Sequence, residues 1–459
     1  MEGTPVHKTA RLGYAAIALS LTVGAAAAGE AAAPDAAAGD PQAILKAFFA
    51  EQDAARRARL AAQFGAVAPK AWDDVKAMLH ACAPRRDLAP GRHTFQTPGG
   101  DGIPPVNYTL RVPQGYKPNA PKGWPLIVST HGTGGTGEKA VAFFEHQLGP
   151  DVETYLIAGP DAPQSGVYEA TRLTIEYPLH VLADVRRRAN VDSDRTVLGG
   201  YSRGGYTTWG TILFSPGEWA GAVPMASWPG TEAGSDGAIF YLQNVLNLAI
   251  QAHWGQNDIM PGQTEGINTL SREAAAELKR LGAARFEGIE YAGQGHGLKL
   301  GSDTIRTFIE TARRDPFPAE CKLIFHRLYQ GRAYYVRATA AAKEEFDFRQ
   351  RRVLRIASKE DLAKAKRAMW HREGFEITAR MPPGKNLIAV FMRNLKGVDV
   401  ALPAERLDFS RPIQITLGGR TASAAKRDLD WAELLETARQ TYDFERLIGG
   451  RVTLPVQSR

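Results

Sequence analysis

The sequence predicts an α/β protein: a mainly parallel sheet covered by helices on both faces, preceded by a helical extension and followed by a mostly β domain. Two observations carry this. Across residues 91–315, short apolar runs alternate with amphipathic stretches of helical period, the order that parallel strands and their crossover helices impose. After Pro316-Phe-Pro318 the character changes to short strand-like runs, as in an antiparallel domain.

The chain begins with His7, Lys8 and Arg11, an apolar run from Leu12, and alanines ending at Ala28. Basic start, apolar middle and small-residue end make residues 1–28 a secretory signal peptide; an uncleaved anchor is the alternative. An Ala/Pro/Gly/Asp leader runs to Asp40. Ala43–Phe64 and Ala71–Cys82 carry apolar residues at helical spacing and complete an extension over 29–90.

Within 91–315 the expected strands are Val106–Val112, Pro125–Thr130, Tyr155–Ala158, Arg195–Gly200, Trp219–Ala226, Leu248–Trp254 and Phe286–Tyr291. Helices are expected over Thr171–Arg188, from Arg203, over Ile267–Leu281 and over Asp303–Arg314. Such a sheet brings its strand C-terminal ends to one edge, where sites form. In 316–459, Lys322–Tyr329, Ala333–Ala338, Phe375–Ala379, Asn386–Met392 and Pro412–Leu417 read as strands of a small sandwich, with Trp431–Gln440 the one clear helix.

At 44% hydrophobic and 23% charged, the composition is that of a globular protein, neither disordered nor membrane-embedded. After the N-terminus nothing approaches the roughly twenty apolar residues of a membrane span. Cys82 and Cys321 could form one disulfide or stand as two isolated thiols, and their spacing favours neither. No Cys/His cluster has metal-ligand spacing, and no cofactor is expected. The net charge of +7 is uneven: residues 316–459 hold 27 Lys and Arg against 17 Asp and Glu. In an exported protein that excess does not point to nucleic acid. It suits an anionic polymer or a structural domain with solvated charges.

Gly200-Tyr-Ser202-Arg-Gly204 is the one G-x-S-x-G in the chain. The apolar Thr196-Val-Leu198 enters it and a helix leaves it, the strand–turn–helix of a nucleophile elbow. A serine hydroxyl attacks only when a base takes its proton, and the base needs an orienting carboxylate. In chain order Ser, Asp/Glu, His, the carboxylate is Asp258, directly after the strand Leu248–Trp254, with Asn257 and Asp236 as rivals. The base is His296, flanked by Gly295 and Gly297 after the strand Phe286–Tyr291. Oxyanion donors are the backbone N–H of Arg203 and one from the loop Thr130-His-Gly-Thr133-Gly-Gly: Thr133, with Gly132 and Gly134 as rivals. Glu138 after Gly137 rules out a phosphate loop, which needs Lys there. His131 reads as structural, and the side chain of Arg203 as a solvated arginine at a helix start.

These segments, with Val112-Pro-Gln-Gly-Tyr116 before Trp124-Pro-Leu-Ile-Val and Val191-Asp-Ser-Asp-Arg195 before the elbow, resemble secreted α/β-hydrolases of the feruloyl/acetyl-xylan esterase and polyhydroxybutyrate-depolymerase-like group. The segment after residue 316 resembles the β-domain appended to some bacterial secreted hydrolases. The resemblance implies the α/β-hydrolase fold and ester hydrolysis through an acyl-serine formed by Ser202, Asp258 and His296. It extends to acetyl and feruloyl esters of polysaccharides without fixing a substrate. Two rivals stand beside an exported serine esterase: a peptidase of the same fold, and a non-catalytic polysaccharide- or envelope-binding protein.

Overall fold

The computed structural model describes residues 39–163, 171–230, 235–259, 266–346 and 358–455. The expected signal segment, 1–28, lies outside them. The extension forms three helices, α1 (Pro41–Ala50), α2 (Ala54–Val67) and α3 (Trp72–Cys82). The apolar stretch from Ala43 to Phe64 is divided because Asp53 accepts from Arg56 N at 2.8 Å and caps a new helix.

Eight strands build the main sheet: β1 (Gly91–Gln96), β2 (Asn107–Val112), β3 (Trp124–Thr130), β4 (Leu156–Pro160), β5 (Val191–Tyr201), β6 (Gly221–Met225), β7 (Ala249–Gly255) and β8 (Phe286–Tyr291). Their order is β1-β2-β4-β3-β5-β6-β7-β8. The pairs β1–β2 and β2–β4 are antiparallel, and every pair from β4 to β8 is parallel. The crossovers carry α4 (Gly137–Leu148), α5 (Arg172–Arg188), α6 (Arg203–Phe214), α7 (Ser235–Tyr241) and α8 (Ile267–Arg280), and α9 (Ser302–Thr311) follows β8.

Strand alternation explains why both faces are covered. Leu126, Val128, Leu156, Ala158, Leu198 and Ala222 point to one side, where they pack with Ile175 and Val181 of α5 and Trp209 and Ile212 of α6. Ile127, Ile157, Val197 and Val223 point to the other, against Val141 and Phe144 of α4 and Ile305 and Ile309 of α9. This is the α/β-hydrolase fold, and it brings the loops after β3, β5, β7 and β8 to one edge.

After residue 316 come β9 (Glu320–Phe325), β10 (Arg332–Ala333), β11 (Val336–Ala341), α10 (Lys359–Glu373), β12 (Phe375–Arg380), β13 (Leu387–Arg393), β14 (Leu395–Pro403), β15 (Ile413–Leu417), β16 (Arg420–Ala425), α11 (Trp431–Thr441) and β17 (Ile448–Pro455). They form a four-stranded sheet, β10-β11-β14-β17, and a five-stranded one, β16-β15-β13-β12-β9. Only β13–β15 among these pairs is parallel. Helix α10 corrects the expectation of a single late helix. Among its described residues Trp370 anchors it, stacked on Phe240 at 5.4 Å and edge-on to Tyr241 at 5.0 Å, with Met369 also against the core.

These sheets are not packed as a separate unit. Leu323, Phe325, Phe375, Ile377, Val398 and Val400 belong to the same apolar cluster as Trp209, Phe214 and Tyr241. A second cluster joins the chain's two ends: Ile44, Phe48, Phe64 and Leu79 of the extension pack with Leu434 and Leu435 of α11 and with Phe444. Polar ties reinforce that seam. Buried His80 faces Asn190 Oδ1 at 2.7 Å and Glu445 Oε1 at 2.9 Å. Arg314 donates to both oxygens of Asp443, each at 2.7 Å, deep in the interior. Cys82 and Cys321 are both buried as free thiols.

Candidate active site

Strand β5 delivers Ser202 into a backbone conformation that side chains rarely adopt, φ 55° and ψ −120°, before α6 begins at Arg203. The turn is that tight because β3 lies against it. A Cβ at Gly200 would collide with Thr130 Oγ1, and one at Gly204 with the Thr130 carbonyl. The Thr130 hydroxyl occupies the space so freed and lies 2.8 Å from Gly204 O and 3.1 Å from Gly199 O. The glycines flanking the serine are therefore steric requirements of this strand pair. Ser202 N–H donates to Met225 O at 2.9 Å, which fixes the elbow to β6.

His296 Nε2 lies 2.9 Å from Ser202 Oγ, and its Nδ1 lies 3.1 and 3.0 Å from the two oxygens of Asp258. Asp258 is buried, while the histidine side chain is half exposed. A carboxylate accepts, so Nδ1 carries the proton and Nε2 is left to accept from the serine. The Asp258 hydrogen bond raises the His296 pKa above its ordinary value, against burial, which lowers it. Asp258 reaches His296, while the side chain of the rival Asp236 lies outside the described residues. Its loop and the histidine loop interlock, with Asn257 N donating to Gln294 O at 2.8 Å and Gly293 N to Gln256 Oε1 at 2.8 Å.

The loop after β3 lies over the elbow. A Cβ at Gly132 would sit 3.3 Å from Tyr201 O and 3.6 Å from Ser202 Cβ, so Gly132 is a direct backbone neighbour of the serine, with Thr133 next in line. His131 holds this loop. Ala162 N–H donates to its Nε2 at 3.0 Å, leaving an Nδ1–H for Gly132 O at 2.7 Å. Across the elbow, α6 turns its first-turn N–H groups and the positive end of its dipole toward Ser202.

Arg203 itself corrects an expectation: its side chain is 3% exposed, not solvated. It turns inward beside Tyr177 of α5, whose phenol burial pushes up to about 12 while the Arg203 charge pulls the other way. The sequence did not mark four further residues. Thr130 and Tyr201 act through contacts with residues distant in sequence. Tyr206 and Trp228, edge-to-face at 4.6 Å, stand beside the elbow on the β6 side. Aromatic residues near the serine motif are the only signal, and they fix no direction. Among the described residues no group of His, Cys, Asp and Glu could hold a metal ion, and no helix is long and apolar enough to cross a membrane.

No protein-family model matches the chain, and no curated protein matches it. Solved structures share parts of it. A thermostable esterase aligns at a TM-score of 0.37 and 20% identity over 49% of this chain and 63% of its own, so this chain spans under two thirds of that protein. A ferulic acid esterase from Anaeromyces mucronatus, in complex with ferulic acid, aligns at 0.36 and 13% over 51% of this chain and 94% of its own. An acetyl xylan esterase from Aspergillus awamori aligns at 0.38 and 12% over 48% and 99%. Likeness at this level says nothing of chemistry.

Proposed function

We propose that the protein is a serine hydrolase that cleaves carboxylic esters through an acyl-serine. The observation that carries the reading is the continuous hydrogen-bonded line Asp258–His296–Ser202, with contacts of 3.0 and 2.9 Å, ending on a serine held at positive φ. His296 Nε2 takes the proton of Ser202 Oγ as the oxygen attacks the ester carbonyl. Asp258 keeps the imidazole in the required tautomer and stabilises the imidazolium. The N–H of Arg203 and one from the 132–134 loop receive the oxyanion, with Thr133 and its neighbour Gly132 as the loop donors to test. The imidazolium returns the proton to the leaving alcohol, and water, deprotonated by His296, releases the acid.

Tyr206 and Trp228, packed edge-to-face at 4.6 Å, supply aromatic surface next to the elbow. Acetyl and feruloyl esters of polysaccharides are the natural class to try, and the basic-apolar-small start at residues 1–28 supports export to meet them. The test is labelling with a fluorophosphonate, peptide mapping of the adduct, and turnover of p-nitrophenyl esters, methyl ferulate and acetyl-xylan beside matched anilides. The reading expects an adduct on Ser202 and ester turnover that Ser202→Ala lowers by several powers of ten. Turnover of Ser202→Ala within tenfold of wild type would remove the assignment, and faster anilide than ester cleavage would move it to a peptidase.

A further inference from the structure

The loop that carries His296 has little packing of its own. Gly295 and Gly297 stand on either side; a Cβ at Gly297 would meet nothing within 4 Å, and one at Gly295 only Asn257 O at 3.6 Å. The interlock with the Asp258 loop holds the base of the turn: Gln256 takes Gly293 N–H, and Gln294 Oε1 takes Lys299 N–H at 2.6 Å. Neither reaches its tip. Asp258 and Ser202 meet the imidazole there, and the side chain that holds the backbone of the tip is Tyr201, the last residue of β5 and the one before Ser202. Its hydroxyl donates to the His296 carbonyl and accepts from Leu298 N–H at 2.8 Å, closing the turn across Gly297. The ring stands edge-on to the imidazole with centroids 6.0 Å apart and packs on Phe143 at 6.4 Å.

We propose that Tyr201 is a positioning residue for this site: through its hydroxyl the strand end that presents Ser202 also sets the backbone of His296. The inference rests on the serine-hydrolase reading. Its physical content is that nucleophile and base share one rigid support. Any drift of the β8–α9 loop would otherwise change the 2.9 Å Ser202–His296 distance and the Asp258 contact together. A displacement of about 1 Å at a reacting group costs on the order of a hundredfold in rate. Burial pushes the phenol's pKa up, and Asp258's charge adds to this, so the hydroxyl keeps its proton to donate.

Tyr201→Phe removes the hydroxyl and keeps the ring. With a p-nitrophenyl ester, kcat should fall by about ten- to a hundredfold while KM stays within about twofold. Because the Asp258 contact raises the His296 pKa, a loosened histidine should also shift the acid limb of the kcat/KM profile to lower pH. Thermal melting should change little, since the ring and its packing remain. Wild-type kcat with an unmoved acid limb would overturn the inference alone. So would a loss of activity that only tracks a loss of folded protein, with the limb unchanged. A wild type that neither labels at Ser202 nor turns over any ester would sink the serine-hydrolase reading, and this assignment with it.

Discussion

Asp443→Ala should destabilise the protein by about 3 kcal/mol, the lower end of the 3–5 kcal/mol expected when one partner is removed from a buried ion pair. Asp443 and Arg314 have side chains 3% and 1% exposed, joined by two hydrogen bonds of 2.7 Å. Arg186 and Arg446 stand 3.7 and 3.6 Å away. Burial alone would push the Asp443 carboxyl's pKa up, but Arg314 and Arg186 outweigh it and hold it well below the ordinary carboxylate range. The loss falls at the low end because the cations keep second partners, Arg314 with Asp194 at 2.8 Å and Arg186 with Glu218 at 3.0 Å. Urea unfolding followed by tryptophan fluorescence measures it. The sign with pH follows from a depressed carboxylate: its stabilisation is present above the unfolded pKa of about 3.9 and is lost as pH falls below it. Asp443→Ala should therefore flatten the acid limb of stability. Replacing both partners, Arg314→Met with Asp443→Leu, should recover part of the loss. A single Asp443→Ala variant within about 1 kcal/mol of wild type would refute the reasoning.

Three further outcomes follow from the same geometry. Activity should rise with pH through one ionisation whose midpoint lies above the ordinary histidine value of about 6.5, because Asp258 raises the His296 pKa and only the neutral ring accepts a proton; a midpoint below 6 in a pH–rate profile would contradict it. Gly204→Ala should lower ester turnover by at least about a hundredfold and cost roughly 1–3 kcal/mol, since its Cβ meets the backbone carbonyl of Thr130, which cannot move aside; kinetics and a melt read both. Alkylation of non-reduced protein should find no accessible thiol in the folded state and two after denaturation, with Cys321 pushed up to about 12 by burial and Cys82 also raised by burial; mass spectrometry counts them.

What the sequence made legible was local. The elbow reads because its two glycines and the apolar strand before it are contiguous, Asp258 reads because it follows the buried strand β7, and His296 reads because it stands between two glycines on the loop after β8. The strands β3 to β7 carry enough apolar residues to be seen one by one. Strand β1, with Arg92, His93 and Thr94, and strand β16, from Arg420 to Ala425, do not, since each is an edge of its sheet and exposes much of its surface. Helix α10 was missed because its sequence is dominated by charged residues around the short apolar pair Met369-Trp370. The inward turn of Arg203, the clamp of Tyr201 on a loop 95 residues away and the shared core of the two β-rich sheets with α6 are long-range packing, which spacing along a chain does not encode.

The seam between the extension and α11 has a consequence for the order in which this chain can fold. Arg57 of α2 pairs with Glu436 of α11, 379 residues further on, and Phe64 stacks edge-on to Trp431 at 5.2 Å. A ribosome adding about 5–20 residues per second takes roughly 20–75 s to cover that distance. Until α11 is made, Ile44, Phe48, Phe64 and Leu79 lack the surface of α11 that finally covers them. Helices α1 to α3 wait for α11, while the eight strands of the main sheet are all made by Tyr291. Closure of the helical seam thus cannot precede the synthesis of α11. A chain cut short before Trp431 leaves the apolar face of α1 to α3 without the helix that covers it.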